Sequence, residues 1–404
     1  MSRDWAFDVV IVGAGLVGAS FALLLKRKEP NLRILVLESN KLISSNKTAV
    51  ADSDIRGIAL SRDSKNILKT AGIWAALEKS SAPIESIHVS DKGHPGIARL
   101  NRSSDDEDPL GYVVEGRWLS DSLRENVTHK KIQIWYSTEV IDTLIEKDQV
   151  RLTTSKNNTV IVAKLLVIAD GVCSKIASQL GFWVNSTDLG QKAIVASVTL
   201  DRKHKGIAYE RFTQSGVLAM LPLPTSLGQP KVSLVWTQPS EFALQLEQAT
   251  DVLFLDELQA QFGYRSGIFT DVSARTSFAL TTSFAEEIIR ARVVLLGNVA
   301  HSLHPVAGQG LNLSLRDANG LAEVIASASS ANTDFGSVSV LDKYRKDRLF
   351  EQHLIAEFTG NLPALFSSQN IVLKLGRNLG LCSLDLIPIL RAKFLNFGIN
   401  GRVF

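Results

Sequence analysis

Two glycine-rich junctions hold the residues whose types and spacing could do chemistry. Gly13, Gly15 and Gly18 form G-x-G-x-x-G between a β-branched apolar run, Phe7–Val12, and a helix-forming stretch broken by Pro30 and Asn31. Strand, tight turn and helix in that order leave unpaired N–H groups and a positive dipole end facing a phosphate. Gly13 would permit the turn, Gly15 the approach of a pyrophosphate, and Gly18 close packing of helix on strand. Glu38 stands 20 residues beyond Gly18, at the end of a second buried-strand pattern, Leu32–Leu37. A carboxylate there accepts bonds from a ribose 2′-OH and disfavours a 2′-phosphate. An adenine dinucleotide is the expected ligand, and the motif alone leaves NAD and FAD open.

The second junction lies near the other end of the chain. A buried-strand pattern, Val293–Leu296, ends at Gly297-Asn298; His304-Pro305 and Ala307-Gly308-Gln309-Gly310 then precede a helix from Leu311-Asn312. Gly308 and Gly310 again permit close backbone approach. A dinucleotide has one pyrophosphate, already placed, so this cradle is expected to face another part of the same molecule. An isoalloxazine ring gains negative charge at N1 and O2 on reduction, and a helix N-terminus would stabilise it. His301 and His304 are three apart, yet no further ligand stands at a supporting spacing, so no metal is expected. Cys173 has no histidine partner nearby and reads as a small buried residue. No catalytic acid, base or nucleophile is singled out.

The elements that must position these junctions are legible in outline. The 404 residues are 45% apolar and 21% charged, which excludes a disordered chain, a fibre and a coiled coil. A net charge of +3 is too mild for a nucleic-acid partner. Two cysteines suit a reducing compartment. The chain enters a strand at once, with no leader, and its apolar runs fall short of the ~20 residues that span a bilayer. A cytoplasmic location is therefore expected. Strand–helix–strand at the start implies an α/β class with a Rossmann-like domain. Alternating patterns such as Ala193–Leu200, Ala208–Thr213, Val217–Pro222 and Val232–Gln238 imply an inserted, mainly antiparallel β-sheet domain. The expected division is 1–80, 102–184 and 281–345 for the dinucleotide domain, 81–101 and 185–280 for the insert, and 346–404 for a helical C-terminus. Thr48–Asp54 and the acidic stretch Ser103–Pro109 read as loops, Asp63–Lys79 as helix, and Gln133–Ile168 as a β-meander.

The paired junctions, together with Ala169-Asp170-Gly171, resemble the FAD-dependent aromatic hydroxylases. Asp54-Ile55-Arg56-Gly57-Ile58-Ala59-Leu60-Ser61, Gly111–Glu115, Tyr209-Glu210-Arg211-Phe212, Leu218–Pro222 and the run from His304 to Leu313 are similar to the ubiquinone-biosynthesis branch of that family. The resemblance spans nearly the whole chain. It implies FAD as cofactor, with Gly297-Asn298 on the ribityl chain, Asp170 near the ribose and pyrophosphate, and Arg56 and Arg117 reaching the cofactor. Asn298 replaces the aspartate common in the wider family. It also implies NADH or NADPH as a transient electron donor, and O2 and a polyprenylated methoxyphenol as substrates, hydroxylated through a flavin C4a-hydroperoxide. One face of the strand carrying Tyr209 and Arg211 is the candidate substrate wall. Lys374, Arg377, Arg391, Lys393 and Arg402 edge an apolar C-terminus with one acid, Asp385, which suits weak association with the inner face of the cell membrane. Other ubiquinone-biosynthesis proteins are candidate partners. A catabolic phenol or aromatic-acid hydroxylase, a flavin reductase of prenyl chains and a weakly active flavin-bound assembly subunit stay open as alternatives.

Overall fold

The computed structural model describes residues 5–41, 56–102, 108–225 and 228–400. The loop expected at Thr48–Asp54, Ile55, most of Ser103–Pro109 and Arg402 lie outside them.

Five parallel strands form the first sheet's centre, in the order Val293–Leu295, Val160–Ile168, Trp5–Val12, Ile34–Leu37, Gln133–Trp135. Val9, Val10 and Ile11 have no exposed surface. A β-branched run of this kind is stable only when both faces of its sheet are covered. Helix Leu16–Lys28 supplies cover and itself packs against helices Gln309–Ser330 and Gly116–His129. Gln133–Trp135 departs from the expected meander. It is a parallel edge strand, and Ser137, at a φ of 51°, turns the chain before the antiparallel run Val140–Ile145, Val150–Thr154 and Val160–Ile168 begins. The helix expected over Asp63–Lys79 stops at Ala71, because Gly72 takes a left-handed cap and returns its N–H to Leu68 and Lys69.

Among the described residues the second sheet has nine strands, antiparallel except where Ile207–Phe212 runs parallel to Ser86–Asp91. Its longest member, Val184–Leu200, pairs with Lys231–Pro239, Phe269–Val272 and Thr276–Ala285. One face packs Leu218, Met220, Leu234 and Trp236 against helices Ser240–Gln248 and Asp251–Phe262. Alternation turns Ala219, Leu221 and Val235 to the opposite face, where they line a cavity. The molecule is thus α/β, a Rossmann-like unit joined to a mainly antiparallel sheet.

The C-terminus is helical as expected: Val338–Ser367, Ile371–Leu386 and Pro388–Asn400. Polar ties fix the middle helix over the hairpin Ser86–Asn101. Arg377 Nε donates to Asp91 at 2.8 Å, Gly96 N–H to Asn378 Oδ1 at 2.7 Å, and the Arg99 guanidinium to Asp385 at 2.8 Å. Arg377 and Asp91 are both buried, so Arg377 is not the surface charge the sequence suggested.

Candidate active site

One cavity of about 1330 Å³ lies between the two sheets and the C-terminal helices. That exceeds the roughly 300–1,000 Å³ of a site for one drug-sized ligand. Gly13, Gly15, Glu38, Arg56 and Asp170 line one end, and Asn298, Pro305, Gly308, Gly310 and Leu311 its middle. Ile355, Phe358, Leu362, Leu381 and Phe394 make the other end apolar.

The glycines of the first junction divide their tasks as their surroundings demand. Gly13 has a φ of +102°, and a Cβ there would stand 2.4 Å from the Ala169 carbonyl oxygen. At Gly18 a Cβ would meet the Gly13 carbonyl oxygen at 2.1 Å. Both are therefore required by the fold itself. Gly15 differs: nothing lies within 4 Å of its Cβ position, and it heads a helix whose cap receives no side-chain bond. Open space before uncapped N–H groups is the cradle a pyrophosphate fills.

Glu38 accepts the Ala14 N–H at 2.9 Å on one oxygen and the Asn40 N–H and side-chain amide, each at 2.9 Å, on the other. The first oxygen keeps capacity for a ribose hydroxyl. Asp170 accepts from Ser174 Oγ at 2.9 Å, and burial pushes its carboxyl above the usual range. Gly297 does not line the cavity. Its φ is +78°, and it lies against Val17 of the first helix, so the two junctions meet back to back.

Arg117, Asn312 and Arg211, all expected at the site, are not among the residues that line this cavity. Arg117 is half exposed and pairs with Glu115 at 2.7 Å, away from the cavity lining. Asn312 is buried, and its side chain is already engaged. Its Oδ1 accepts from Ser61 N–H and Ser64 Oγ, and its amide donates to the carbonyls of Ala59 and Gly308. It clamps the start of the second helix to the strand Gly57–Ser61 instead of pointing at a ligand. Of the two residues expected on the substrate wall, Tyr209 lines the cavity and Arg211 does not. Pairing sets Tyr209 opposite Met220 and Arg211 opposite Leu218, on the helix-covered face. The Tyr209 ring packs on Phe262 and His88, although the residue contributes to the lining, and Arg211 donates to the Gln261 carbonyl at 3.0 Å. Ala208, Glu210 and Phe212 join Tyr209 in this strand's share of the cavity wall.

A buried network that no local spacing signals lies behind the second junction. Asp317 has no exposed surface and joins His301 Nε2 at 2.7 Å, Arg348 Nε at 2.7 Å and Gln352 Nε2 at 2.9 Å. Burial opposes its charge, but Arg348 and His301 prevail and hold the carboxyl down at about 2. His304, buried near Pro305, is pushed down to about 4 by desolvation and is neutral at pH 7.

Comparison with known proteins agrees with this geometry. The model of the family described as FAD binding domain matches residues 6–359. Ubiquinone hydroxylase UbiL of Rhodospirillum rubrum is 32% identical over 400 residues, covering 99% of this chain and 91% of that one. The 3-demethoxyubiquinol 3-hydroxylase of Escherichia coli is 28% identical over 397 residues, covering 97% of this chain and 98% of its own. Among solved structures, p-nitrophenol 4-monooxygenase PnpA of Pseudomonas putida shares the fold with a TM-score of 0.77 at 19% identity, covering 98% of this chain and 99% of that one. The chain belongs to the FAD-binding-domain family of flavin-dependent aromatic monooxygenases, and FAD is its cofactor.

Proposed function

We propose that this enzyme hydroxylates a polyprenylated methoxyphenol ring in ubiquinone biosynthesis, using NADH or NADPH and O2. The observation that carries the reading is a cavity polar at the dinucleotide cradle and apolar where the C-terminal helices close it. A small polar aromatic acid has no use for an apolar end walled by Ile355, Phe358, Leu362 and Phe394, whereas a prenyl tail buries there favourably. Ubiquinone-pathway hydroxylases among the relatives support the same substrate class.

Bound FAD supplies the redox chemistry, taking two electrons from NAD(P)H and passing one atom of O2 to the ring. The chain's own residues bind, orient and exclude water. The open backbone at Gly15 would receive the pyrophosphate and Glu38 the ribose, and Asp170 and Arg56, which line the same cavity, would contact the cofactor too. Asn298, Pro305, Gly308, Gly310 and Leu311 face the ring end, and the helix start at Gln309 favours negative charge there. Asn312 and Gly297 act behind that wall, holding the second junction to its neighbours. Apolar side chains at the far end keep water from the reacting ring. The test is deletion of the gene followed by mass spectrometry of quinone precursors. A methoxyphenol lacking one oxygen should accumulate, and an unchanged precursor profile would contradict the proposal.

The same C-terminal helices expose a run of large apolar side chains: Ile371, Val372, Leu375, Leu379, Leu386 and Ile389, each more than 60% exposed. No described helix is long and apolar enough to cross a membrane. An apolar face over the cavity's apolar end suits docking on the membrane that holds a prenylated substrate. Lys393 is exposed to meet anionic headgroups, whereas Lys374 is half-buried and donates to Gln369 and Arg377 is paired with Asp91. Flotation with anionic vesicles should recover the protein with the lipid. Replacing Ile371, Val372, Leu375 and Leu379 by serine should lower recovery several-fold at unchanged FAD content. Equal recovery of this variant would sink the membrane assignment and leave a pathway protein as the occupant.

A further inference from the structure

We propose that Glu210 takes up the phenolic proton of the substrate in this cavity, a role that rests on the hydroxylase reading above. Glu210 is in the cavity wall, on the strand Ile207–Phe212, where it faces the loop that opens the second junction. Its Oε1 accepts the Ala307 N–H at 2.9 Å. Its other oxygen has no hydrogen-bond partner among the described residues and is free to accept from a ligand. Ala307 holds a positive φ of 60° without being glycine, and Gly308 follows at 58°. The N–H that fixes the carboxylate thus belongs to the same turn that starts the helix facing the cofactor. The group is therefore held beside Pro305, Gly308 and Gly310, where the reacting ring must lie.

Its surroundings suit a proton acceptor. Across the sheet its neighbours are Ala219 and Val89, both apolar. From helix Val338–Ser367 the residues lining the cavity are apolar, among them Ile355, Phe358 and Leu362. The facing loop carries one titratable group, His304, which burial keeps neutral. From helix Ile371–Leu386 comes Arg377, already paired with Asp91 on the next strand. His88 on that strand packs on the Tyr209 ring, on the helix-covered face. Elsewhere in the cavity Glu38, Arg56, Asp170 and Lys175 belong to the dinucleotide end. Burial without a cationic partner pushes the Glu210 carboxyl up to about 7, opposed only by the Ala307 N–H. It therefore changes protonation near neutral pH, where a general base is most effective.

The step balances simply. The phenolic O–H breaks, its electron pair stays on oxygen and enriches the ring, and the proton passes to the free oxygen of Glu210. The ring carbon then takes one oxygen atom from O2, the other leaving as water on two electrons from NAD(P)H. Loss of that carbon's own proton to solvent restores aromaticity, and Glu210 returns its proton to the phenolate oxygen, which gives the neutral product.

The test uses FAD-loaded enzyme and two probes, a short-chain prenyl-methoxyphenol and its O-methyl ether, with binding read from the flavin absorbance change. Ionised Glu210 accepts the phenol O–H, so the phenol should bind about tenfold tighter at about pH 8.5 than at about pH 5.5, while the ether shows no such change. Glu210→Gln should flatten the phenol profile and lower hydroxylation by roughly 10²–10⁴-fold, electrons going to peroxide instead. Glu210→Asp should keep a pH-dependent profile, which guards against a folding artefact in the glutamine variant. A wild-type phenol profile as flat as the ether's would overturn the assignment, as would a glutamine variant with wild-type pH dependence and coupling. Wild-type enzyme that binds neither probe and oxidises no NAD(P)H in their presence would instead remove the hydroxylase reading itself.

Discussion

Gly15→Val is expected to give an apoprotein as stable as the wild type that no longer takes up FAD. A Cβ at this position meets no atom within 4 Å, so the substitution adds no clash to the empty fold. The methyls then occupy the space that a pyrophosphate needs before the N–H groups of helix Leu16–Lys28. Loss of that approach should weaken FAD binding by about 100-fold or more, on the order of 3 kcal/mol. Gly13→Ala and Gly18→Ala are the contrast. Both put a Cβ within 2.5 Å of a backbone oxygen, so they should lower the melting temperature of the apoprotein as well. Flavin absorbance after reconstitution, paired with thermal unfolding, separates the two classes. A Gly15→Val protein that binds FAD normally would show that the pyrophosphate lies elsewhere.

The largest stability effect is expected at Asp317. Its carboxylate is fully buried and receives bonds from His301, Arg348 and Gln352. Asp317→Asn removes the charge that Arg348 was desolvated to meet and turns an N–H₂ toward at least one donor. Breaking one side of a buried pair in this way costs about 3–5 kcal/mol. The sign of the pH dependence follows from a carboxyl held at about 2 in the folded chain, below the roughly 3.9 of an unfolded one. The contribution is present above the unfolded value and is lost as pH falls from about 4 toward about 2. Urea unfolding at neutral pH should show the full loss, and the variant should lack the wild-type acid limb between those values. Equal midpoints at pH 7 would contradict this account of the network.

Local signals made the cofactor end legible in the sequence. Gly13, Gly15, Gly18 and Glu38 act through spacing along one strand–turn–helix–strand unit, and spacing is what a sequence displays. The substrate wall was not legible in the same way. Alternation in Tyr209–Phe212 defines two faces, but nothing local says which of them helix Asp251–Phe262 will cover. That packing drew Arg211 to the Gln261 carbonyl and the Tyr209 ring onto Phe262, and left the Glu210 carboxylate facing the cavity. The role of Asp317 is not legible locally, because His301 and Arg348 lie 16 and 31 residues away and reach it only when the short strand His301–Ser302 and helix Val338–Ser367 both pack on its helix. Arg377 was misjudged for the same reason, its partner Asp91 being 286 residues distant. The Asn312 side chain stands at the helix start the motif indicated, yet the strand Gly57–Ser61 reaches it before any ligand can.

The central claim is that one cavity brings a flavin and a prenylated phenol together for oxygen transfer. Its most direct test is turnover of a prenyl-methoxyphenol by purified, FAD-loaded protein with NAD(P)H under isotopically heavy oxygen gas, read by mass spectrometry. The expected product carries one heavy oxygen atom on the ring and forms in step with NAD(P)H oxidation. Recovery of unmodified phenol, with every reducing equivalent released as peroxide, would contradict it.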